Sequence, residues 1–514
     1  MTLIQWLLFI LILQVVHFLG TWKLYVKAGR KAWEAIVPIY NAVVLMQIIN
    51  RPKWWVILLF IPIINLLMFP IIWVETIRSF GKNSSKDTWL VILTLGFYIF
   101  YVSYMEDLTY IEDRSLKPRT ATGEWVSSIA FAVIAATLVH TYFMQPYTIP
   151  TSSLEKSLLI GDFLFVSKFH YGARVPMTTV AAPMVHDTLP IINVKSYLKF
   201  PQLPYLRLPA MQKIKRNDIV VFSWPVDTVE QFFKRTNRRI RKPIDKKSNY
   251  VKRCVGIAGD TLDIRDGYVY INGVKNELPD RARLQFLYET DTDGKALSAR
   301  SLRSRYHVRE FGRLQDGNYI LNLSDEDAQL ISNNPTVKGL RKRISPKGER
   351  EEVFPNVAAL NWNRDNFGPV YIPEEGKTVE LNLETLPYYK KVIVEYEKNS
   401  LSVKNGKIYL NEGVDPVSSY TFKQNYYWMM GDNRHNSEDS RYWGFVPFDH
   451  VVGKPVFIWF SWDSNGKGLS KVRWDRLFTT VGGSGKATSY FYPFVGLMLV
   501  LYGFNWYRKR KKAA

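Results

Sequence analysis

Two adjacent serines and a nearby lysine are the first residues whose types could act together chemically. They lie in IPTSSLEKSLLIGDFLFVSKFHYG, residues 149–172, where Lys156 follows Ser153 by three positions. A serine hydroxyl attacks a carbonyl efficiently only when a neighbouring base takes its proton, and a neutral lysine amine is one such base. The stretch therefore suggests a nucleophilic serine and leaves open which lysine would serve it.

A second lysine, Lys252, is the other candidate base. In NYVKRCVGIAGD (249–260) it lies in a run typical of a strand, where alternation puts it on one face with Tyr250 and Cys254. A lysine held there without a carboxylate partner loses hydration, and this lowers its pKa. An ordinary exposed strand lysine is the alternative, and the spacing alone favours that alternative.

The local pair, Ser153 and Lys156, fits the S-x-x-K pattern of penicillin-binding enzymes and β-lactamases. The companion S-D-N and K-T-G elements are absent, because Val379 follows Lys377 and Thr378. This weaker hypothesis predicts acylation of Ser153 by penicillin. The seven histidines are scattered, with no H-E-x-x-H motif and no G-x-S-x-G elbow, so neither a metal site nor a histidine base is indicated.

A third stretch, WMMGDNRHNSEDSRYWGFVP (428–447), concentrates short polar side chains after a Gly-Asp-Asn turn. Ser437, Asp439 and Arg441 lie within five positions of one another. Such side chains can orient a neighbouring base, and Asp439 with Arg441 could form an ion pair that sets the turn. A polar hairpin with no role in catalysis explains the pattern equally well.

Long apolar runs at both ends of the chain predict a membrane protein. Each is long enough to cross the hydrocarbon core of a bilayer as a helix, and Pro62 and Pro70 predict a kink in the second. The runs are 2–20, 54–74, 88–105, 125–147 and 487–507. The stretch 34–49, broken by Pro38 and Asn41, is interpreted as interfacial or re-entrant. The first run lacks the features of a cleaved signal peptide, so we interpret it as a retained anchor.

Basic residues predict the orientation in the membrane. Residues 508–512 are all Arg or Lys and flank the last run, which places that end in the cytoplasm and residues 148–486 on the opposite side. Arg114 and Arg119 agree with this topology, whereas the basic loop 76–87 would fall outside and opposes it. We therefore expect a multi-pass protein of the cytoplasmic (inner) membrane with an extracytoplasmic polar region.

That polar region has the pattern of an antiparallel β-domain, with short β-branched and aromatic runs between Gly, Pro, Asn and Asp turns. The expected strands are DFLFVSKF, DIVVFSW, YVKRCVGI, GYVYING, KVIVEYE, GKIYLN, YWMMGD and VVGKPVFIWFSW. A short helix is expected at 324–334, with Ser324 as its N-cap. The predicted fold is a mostly-β domain with α-helical transmembrane segments at both ends. Its parts are helices at 1–147, the β-domain at 148–486 with a secondary lobe or insertion at about 285–400, and a last helix with a basic tail at 487–514.

The net charge of +22 could suggest a nucleic-acid partner. Much of it lies in the tail and in KRTNRRIRKPIDKK (234–247), which has few aromatic residues and matches no nucleic-acid motif. We interpret that run as a solvated loop near anionic lipid headgroups and expect no nucleic-acid partner. The single cysteine, Cys254, excludes an intrachain disulfide.

Together these stretches resemble bacterial signal peptidase I, a membrane-anchored Ser/Lys peptidase of family S26. The matching blocks, in the family's order, are IPTSSLEKSLLIGDFLFVSKFHYG, NDIVVF (217–222), YVKRCVGIAGD (250–260), GDNRHNSEDSRYWGFVP (431–447) and VVGKPVFIWFSWD (451–463). The resemblance implies a serine endopeptidase that cleaves signal peptides from exported preproteins after small-x-small (Ala-x-Ala-like) sites. It also implies an acyl-enzyme mechanism without metal or cofactor, and secretory preproteins and the lipid bilayer as partners.

The resemblance also implies a role for each site residue. Ser153 would be the nucleophile and Lys252 the general base. The Thr151 hydroxyl and the Ser153 backbone N–H would form the oxyanion hole, and Ser437 would orient the Lys252 amine. The supporting residues would be Asp432, Asp439 and Arg441, and the substrate-pocket residues Ile149, Val251 and Tyr250.

Several positions depart from the family's pattern. Many relatives have Gly, Met and Pro where this chain has Ser152, Leu154 and Lys156. We expect the extra Lys156 amine to be solvated and protonated. His435 stands where relatives often have Asp. A catalytically silent membrane scaffold or export-machinery subunit with the same fold is the alternative hypothesis, and the complete set of reacting groups argues against it.

Overall fold

The computed structural model describes residues 2–118, 120–229 and 240–513. Arg119 and the first part of the basic run at 234–247 lie outside these residues. The chain divides into two compact units. The first comprises Met1–Phe143, Ala173–Leu208 and Thr228–Lys247, and the second Met144–Gly172, Pro209–Asp227 and Ser248–Ala514.

The first unit contains helices packed around one apolar core. They are α1 (Leu3–Lys27), α2 (Tyr40–Ile48), α3 (Trp55–Leu58), α4 (Ile64–Ser79), α5 (Ser85–Leu93), α6 (Tyr98–Met105) and α7 (Ala121–Leu138). Tyr25, Met46, Ile77 and Val102 are completely buried in this core.

Two helices of the described chain are long and apolar enough to cross a membrane, Ile4–Lys27 and Ala121–Phe143. The second consists of α7 and a π-helical segment, Val139–Phe143, after which the chain becomes a strand. The helix predicted over 125–147 therefore ends at Phe143.

The membrane-crossing helices predicted over 54–74, with a kink, and over 88–105 are wrong, because each run is divided into two shorter helices. The first run breaks between α3 and α4, where Ile63 has φ 71°, and the second between α5 and α6, where Leu95 has φ 51°. A residue in the left-handed region cannot continue a right-handed helix. The longest piece, α4, has 16 residues with Pro70 inside, and about 24 Å of helix is shorter than a hydrocarbon core of about 30 Å.

The second unit is mostly β. Its strands are β1 (Met144–Thr148), β2 (Asp162–Ser167), β3 (Ile219–Ser223), β4 (Asn249–Gly256), β5 (Thr261–Arg265), β6 (Tyr268–Ile271), β7 (Val274–Lys275), β8 (Phe286–Asp291), β9 (Phe311–Arg313), β10 (Tyr319–Leu323), β11 (Gly339–Lys342), β12 (Phe367–Tyr371), β13 (Thr378–Glu380), β14 (Leu401–Lys404), β15 (Lys407–Leu410), β16 (Ser419–Thr421), β17 (Tyr426–Met430), β18 (Val446–Pro447), β19 (Val451–Ser461) and β20 (Thr479–Thr480). Its helices are α8 (Ala299–Ser304), α9 (Asp325–Ser332), α10 (Leu386–Lys391), α11 (Ser440–Trp443) and α12 (Phe491–Ala513).

All pairings between these strands are antiparallel, which confirms the predicted antiparallel β-domain. The largest sheet has eight strands in the order β1-β2-β19-β3-β4-β17-β18, with β20 paired to β19. In it, Val220 of β3 lies opposite Lys252 of β4, and Met430 of β17 lies opposite Arg253 of β4. The sheet therefore brings the motif-bearing strands side by side although they are far apart in the chain.

Residues 283–345 form a side lobe with its own apolar core around Leu321. Its sheet has the order β11-β8-β10-β9 and is accompanied by α8 and α9. The predicted short helix is confirmed as α9, and the Ser324 side chain caps it by accepting a backbone N–H. The remainder of the stretch that we predicted as a lobe, 346–400, contributes instead to the larger core of the unit.

One predicted strand is wrong, and the other seven are confirmed. KVIVEYE (391–397) forms the end of α10 and a π-helical segment, Val392–Tyr396. Pro387 lies in the first turn of α10, a position that suits proline. Ile393 and Tyr396, three positions apart, are both buried in the larger core. Tertiary packing here overrides the β-propensity of the valines and isoleucine.

The last helix, α12, contains most of the apolar run at 487–507 together with the basic residues that follow it. It is not among the two helices whose composition suits a membrane span. A crossing at the C-terminal end therefore stays a prediction, as do the domain boundaries at 147 and 486.

Candidate active site

Lys252 lies in the middle of β4 and is 4% exposed. Its neighbours on the same face, Tyr250 and Cys254, pack in one apolar cluster, and the Tyr250 ring centroid lies 5.7 Å from the Lys252 amine. Two buried carboxylates are near enough for their charge to affect this amine, but each forms its ion pair with an arginine. Asp439 binds Arg441, and Asp432 binds Arg253.

Burial lowers the pKa of the Lys252 amine from 10.5 to about 8. The negative charge of Asp439 opposes this shift because it favours the ammonium form, and the positive charge of Arg441 adds to it. At pH 8 about half of the Lys252 amines are therefore neutral and able to accept a proton.

Ser153 lies in the turn between β1 and β2 and is 7% exposed. The turn is closed on the sheet because the Ile149 N–H donates to the Asp162 carbonyl oxygen at 2.9 Å. Asn433 joins it to the segment after β17: its backbone N–H donates to the Ser153 carbonyl oxygen and its side-chain amide to that of Ser152, both at 3.1 Å. We call residues 151–157 the nucleophile turn.

Gly431 allows the nucleophile turn and Ser437 to approach each other closely. A Cβ at Gly431 would lie 2.3 Å from the Ser437 Oγ and 2.5 Å from the Ser153 carbonyl oxygen, which leaves no room for a larger residue. The last residue of β17, Met430, pairs with Arg253, the chain neighbour of Lys252. Ser153 and Ser437 therefore meet at a glycine that directly follows the strand paired with β4.

Ser437, predicted to orient the base, and Thr151, predicted to bind the oxyanion, lie near Ser153 but do not make the predicted hydrogen bonds. The Ser437 hydroxyl is buried and has no hydrogen-bond partner among the described residues, so its predicted bond to the Lys252 amine is not formed here. Thr151 lies at the start of the nucleophile turn and is exposed. Both roles stay predictions.

Two of the predicted pocket residues, Ile149 and Val251, belong to one apolar cluster that also contains Leu154. Ile149 is buried and Val251 is half-buried, so both contribute apolar walls beside the nucleophile turn. Tyr250 packs elsewhere, with its ring stacked on that of Trp224 at 5.0 Å.

Two buried ion pairs brace this corner. Arg441 donates two hydrogen bonds of 2.9 Å to Asp439, which confirms the ion pair predicted from their spacing. Arg253 donates to both oxygens of Asp432 at 2.7 and 2.6 Å, and the Ser157 hydroxyl donates to Asp432 at 2.6 Å. Burial alone would raise the pKa of Asp432, but the Arg253 guanidinium, the Ser157 hydroxyl and the charge of Arg434 together outweigh it and lower that pKa.

Lys156 is not solvated, contrary to the prediction. Its amine donates to the Asp327 carboxylate at 2.6 Å and to the His307 carbonyl oxygen at 2.9 Å, and both partners belong to the side lobe. Both contacts direct the amine to acceptors of the side lobe. This geometry disfavours Lys156 as the base.

Sequence reasoning missed Asn433, although it lies in the polar turn. Nothing in the sequence indicates which member of that turn reaches Ser153, because the two residues are far apart in the chain. His435, which stands at a departure from the family's pattern, has a bracing position: its Nδ1 accepts the Leu287 N–H at 3.0 Å, and its Nε2 lies 2.8 Å from Asp365. Since Nδ1 accepts, Nε2 carries the proton and donates it to Asp365.

The family model described as signal peptidase, peptidase S26, matches residues 122–328 and 370–462. These ranges make up more than half of the chain and contain every predicted site residue. The chain belongs to the signal peptidase family S26. It is thus a serine endopeptidase that cleaves signal peptides, as the sequence predicted.

Individual members of the signal peptidase family are similar in sequence to this chain at modest identity. Signal peptidase I of Buchnera aphidicola subsp. Acyrthosiphon pisum is 26% identical over 340 residues, 65% of this chain and 73% of that protein. Signal peptidase I of Helicobacter pylori is 23% identical over 381 residues (70% and 91%), and that of Rickettsia rickettsii is 24% identical over 353 residues (68% and 84%). Residues 33–113 match a separate family of unknown function, DUF5684.

Proposed function

We propose that Ser153 and Lys252 are the catalytic dyad of this signal peptidase and cleave preproteins after small-x-small sites. The observation that carries the proposal is the buried Lys252 amine, whose pKa is lowered to about 8 and whose two buried carboxylate neighbours, Asp439 and Asp432, are bound to arginines. A lysine in that state has the one property that a general base for serine needs, a neutral form near physiological pH.

In the proposed reaction Lys252 takes the proton of the Ser153 hydroxyl, and Oγ attacks the scissile carbonyl carbon. The Ser153 N–H and the Thr151 hydroxyl donate to the oxyanion that develops. The Lys252 ammonium then gives its proton to the leaving amine, and the signal peptide remains as an ester on Ser153. Neutral Lys252 next activates a water, which hydrolyses the ester and releases the signal peptide carboxylate.

The walls beside the nucleophile turn support selection of small side chains. Ile149 and Val251 carry β-branched side chains held in one apolar cluster. Such rigid walls accept the methyl group of alanine and exclude larger groups, because enlarging the pocket would require the cluster to repack. Ala-x-Ala-like sites therefore fit the proposed reaction.

The membrane arrangement completes the proposal. The helices Ile4–Lys27 and Ala121–Phe143 would anchor the chain in the cytoplasmic membrane, with α12 as a further crossing. The basic residues 508–512 would hold the C-terminal end in the cytoplasm. The β-unit would then meet secretory preproteins on the extracytoplasmic side.

The test is cleavage of a preprotein with an Ala-x-Ala site by the full-length protein in detergent. Ser153→Ala and Lys252→Met should each abolish cleavage, by at least about a thousandfold, since each removes a reacting group. Lys156→Met is the matched control: it removes a contact with the side lobe but no reacting group, and we expect it to retain activity within about fivefold. Comparable losses in the two lysine variants would revive the local pair, and cleavage by Ser153→Ala would refute the assignment of the nucleophile.

A further inference from the structure

The side lobe contacts the nucleophile turn at three consecutive residues. The contacts are Glu155 with Arg309 at 3.4 Å, Lys156 with Asp327 at 2.6 Å, and the Ser157 Oγ with the backbone N–H of Arg283 at 3.2 Å. The side lobe is therefore held to the nucleophile turn by ion pairs and a hydrogen bond, in addition to its two covalent connections to the rest of the chain.

Glu310, on the same lobe, binds the polar segment on the other side of the turn. Its carboxylate accepts hydrogen bonds from three asparagine side-chain amides: Asn322 at 2.7 Å, Asn433 at 3.2 Å, and Asn436 at 3.0 and 2.9 Å. Asn322 comes from the lobe, whereas Asn433 and Asn436 come from the segment between β17 and α11.

These last two asparagines also hold the backbone beside Ser153. The Asn433 side-chain amide donates to the Ser152 carbonyl oxygen at 3.1 Å, and that of Asn436 donates to the Ser152 hydroxyl at 3.0 Å. The Asn433 backbone N–H donates to the Ser153 carbonyl oxygen. A single asparagine therefore separates Glu310 from the backbone of Ser153.

We propose that Glu310 is a positioning residue that fixes the nucleophile turn through Asn433 and Asn436. An ionised carboxylate only accepts hydrogen bonds, so it forces both asparagines to present their NH₂ groups and excludes the flipped orientation. With both amides fixed, the Ser153 hydroxyl is held at one distance from its base, and small misplacements of a nucleophile are costly in rate. This inference rests on the proposed role of Ser153.

The bonding pattern allows a sharp test with Glu310→Gln. The Oε2 position accepts from all three asparagines, whereas the Oε1 position accepts from Asn436 alone. A glutamine with its oxygen at the Oε2 position keeps the three bonds made there, but it replaces the Oε1 acceptor of Asn436 by an NH₂ group and so sets two donors about 3.0 Å apart. Adding Asn436→Asp turns that donor–donor contact into a hydrogen bond, and the Ser152 hydroxyl can donate to the new carboxylate.

We expect Glu310→Gln to lower kcat about tenfold with KM changed less than about twofold, since substrate-pocket residues are untouched. The pH midpoint, set by Lys252, should stay in place. The double variant Glu310→Gln/Asn436→Asp should recover at least about threefold in kcat. Glu289→Gln is the control, because that carboxylate binds Arg341 within the lobe at 2.7 Å and none of the other described residues, and it should leave kcat unchanged.

The inference is overturned if Glu310→Gln leaves kcat within about twofold of the native value, or if the folded double variant is no more active than Glu310→Gln. A shifted pH midpoint would also overturn it, because the residue would then act on the base. If Glu310→Gln does not fold, Asn436→Ala is the substitute, because Asn436 is exposed and its side chain makes the same contact with Glu310. This variant should show the same loss of kcat. Cleavage by Ser153→Ala would instead refute the proposed function itself.

Discussion

Lys252 is a buried lysine whose two buried acidic neighbours, Asp439 and Asp432, each form an ion pair with an arginine. The negative charge of Asp439 affects the Lys252 amine at a distance, but both Asp439 oxygens accept hydrogen bonds from Arg441. In the same way, both oxygens of Asp432 accept hydrogen bonds from Arg253. If either arginine were absent, the freed carboxylate would stabilise the Lys252 ammonium and raise its pKa. The two ion pairs therefore protect the basicity of the site as well as its shape.

Cleavage should consequently rise with pH, with a midpoint near 8. Only neutral Lys252 accepts the serine proton, and burial lowers the pKa of this amine from 10.5 to about 8, so the neutral form dominates above pH 8. Below the midpoint kcat/KM should fall about tenfold per pH unit. The measurement is kcat/KM between pH 6 and 10 with an Ala-x-Ala preprotein, and a flat profile from pH 6 to 9 would contradict a lysine base.

At the scale of elements, the Asp432–Arg253 pair joins β4 to the segment after β17. The Ser157 hydroxyl adds the nucleophile turn to the same carboxylate. Three elements therefore depend on one side chain that is completely buried. Removing one partner of a buried ion pair leaves the other charge without compensation, which is far more costly than losing a surface pair.

Asp432→Asn should therefore lower both stability and activity. We expect a loss of about 3 kcal/mol in the free energy of unfolding, because Arg253 would stay buried without a carboxylate. The control is Asp263→Asn, whose partner Arg265 is exposed, and it should cost less than about 1 kcal/mol. Thermal unfolding of both variants in detergent checks this, and equal shifts in Tm would show that the buried pair has no special role.

Considered as a whole molecule, the chain combines an S26 β-unit with a helical unit that contains the match to the family of unknown function at 33–113. Only two of its described helices have the length and composition of a membrane span. The proposed sidedness rests on the basic C-terminal residues and is directly testable, because the chain has one cysteine. Burial raises the pKa of the Cys254 thiol, so this residue should not react with labels in the folded protein.

Cysteines introduced at two exposed positions should report the topology. Val414 is 92% exposed in the β-unit, and Arg510 is exposed in the basic tail. In intact spheroplasts a membrane-impermeant maleimide should label Val414→Cys, while Arg510→Cys should react only after permeabilisation. The unaltered chain is the control. Labelling of Arg510→Cys in intact spheroplasts would place the tail outside and reverse the proposed topology.

Local pattern offered Ser153, Lys252 and the Asp439–Arg441 pair as candidates, because a strand or tight turn determines how residues close together in the chain are oriented. The choice of Lys252 over Lys156 as the base came from the resemblance to the signal peptidase family, which rests on the order of the motif blocks. Local pattern and motif order were also enough to predict seven of the strands, the capped helix at Ser324 and membership of the signal peptidase family.

The tertiary structure decided the features that depend on partners distant in sequence. It pairs Lys156 with Asp327 and connects Glu310, through Asn433, to Ser152 of the nucleophile turn. It turns KVIVEYE into helix and interrupts two apolar runs that composition alone would extend. In each case local propensity leaves the outcome open, because the deciding free energy comes from packing and hydrogen bonds between segments that meet only in the folded chain.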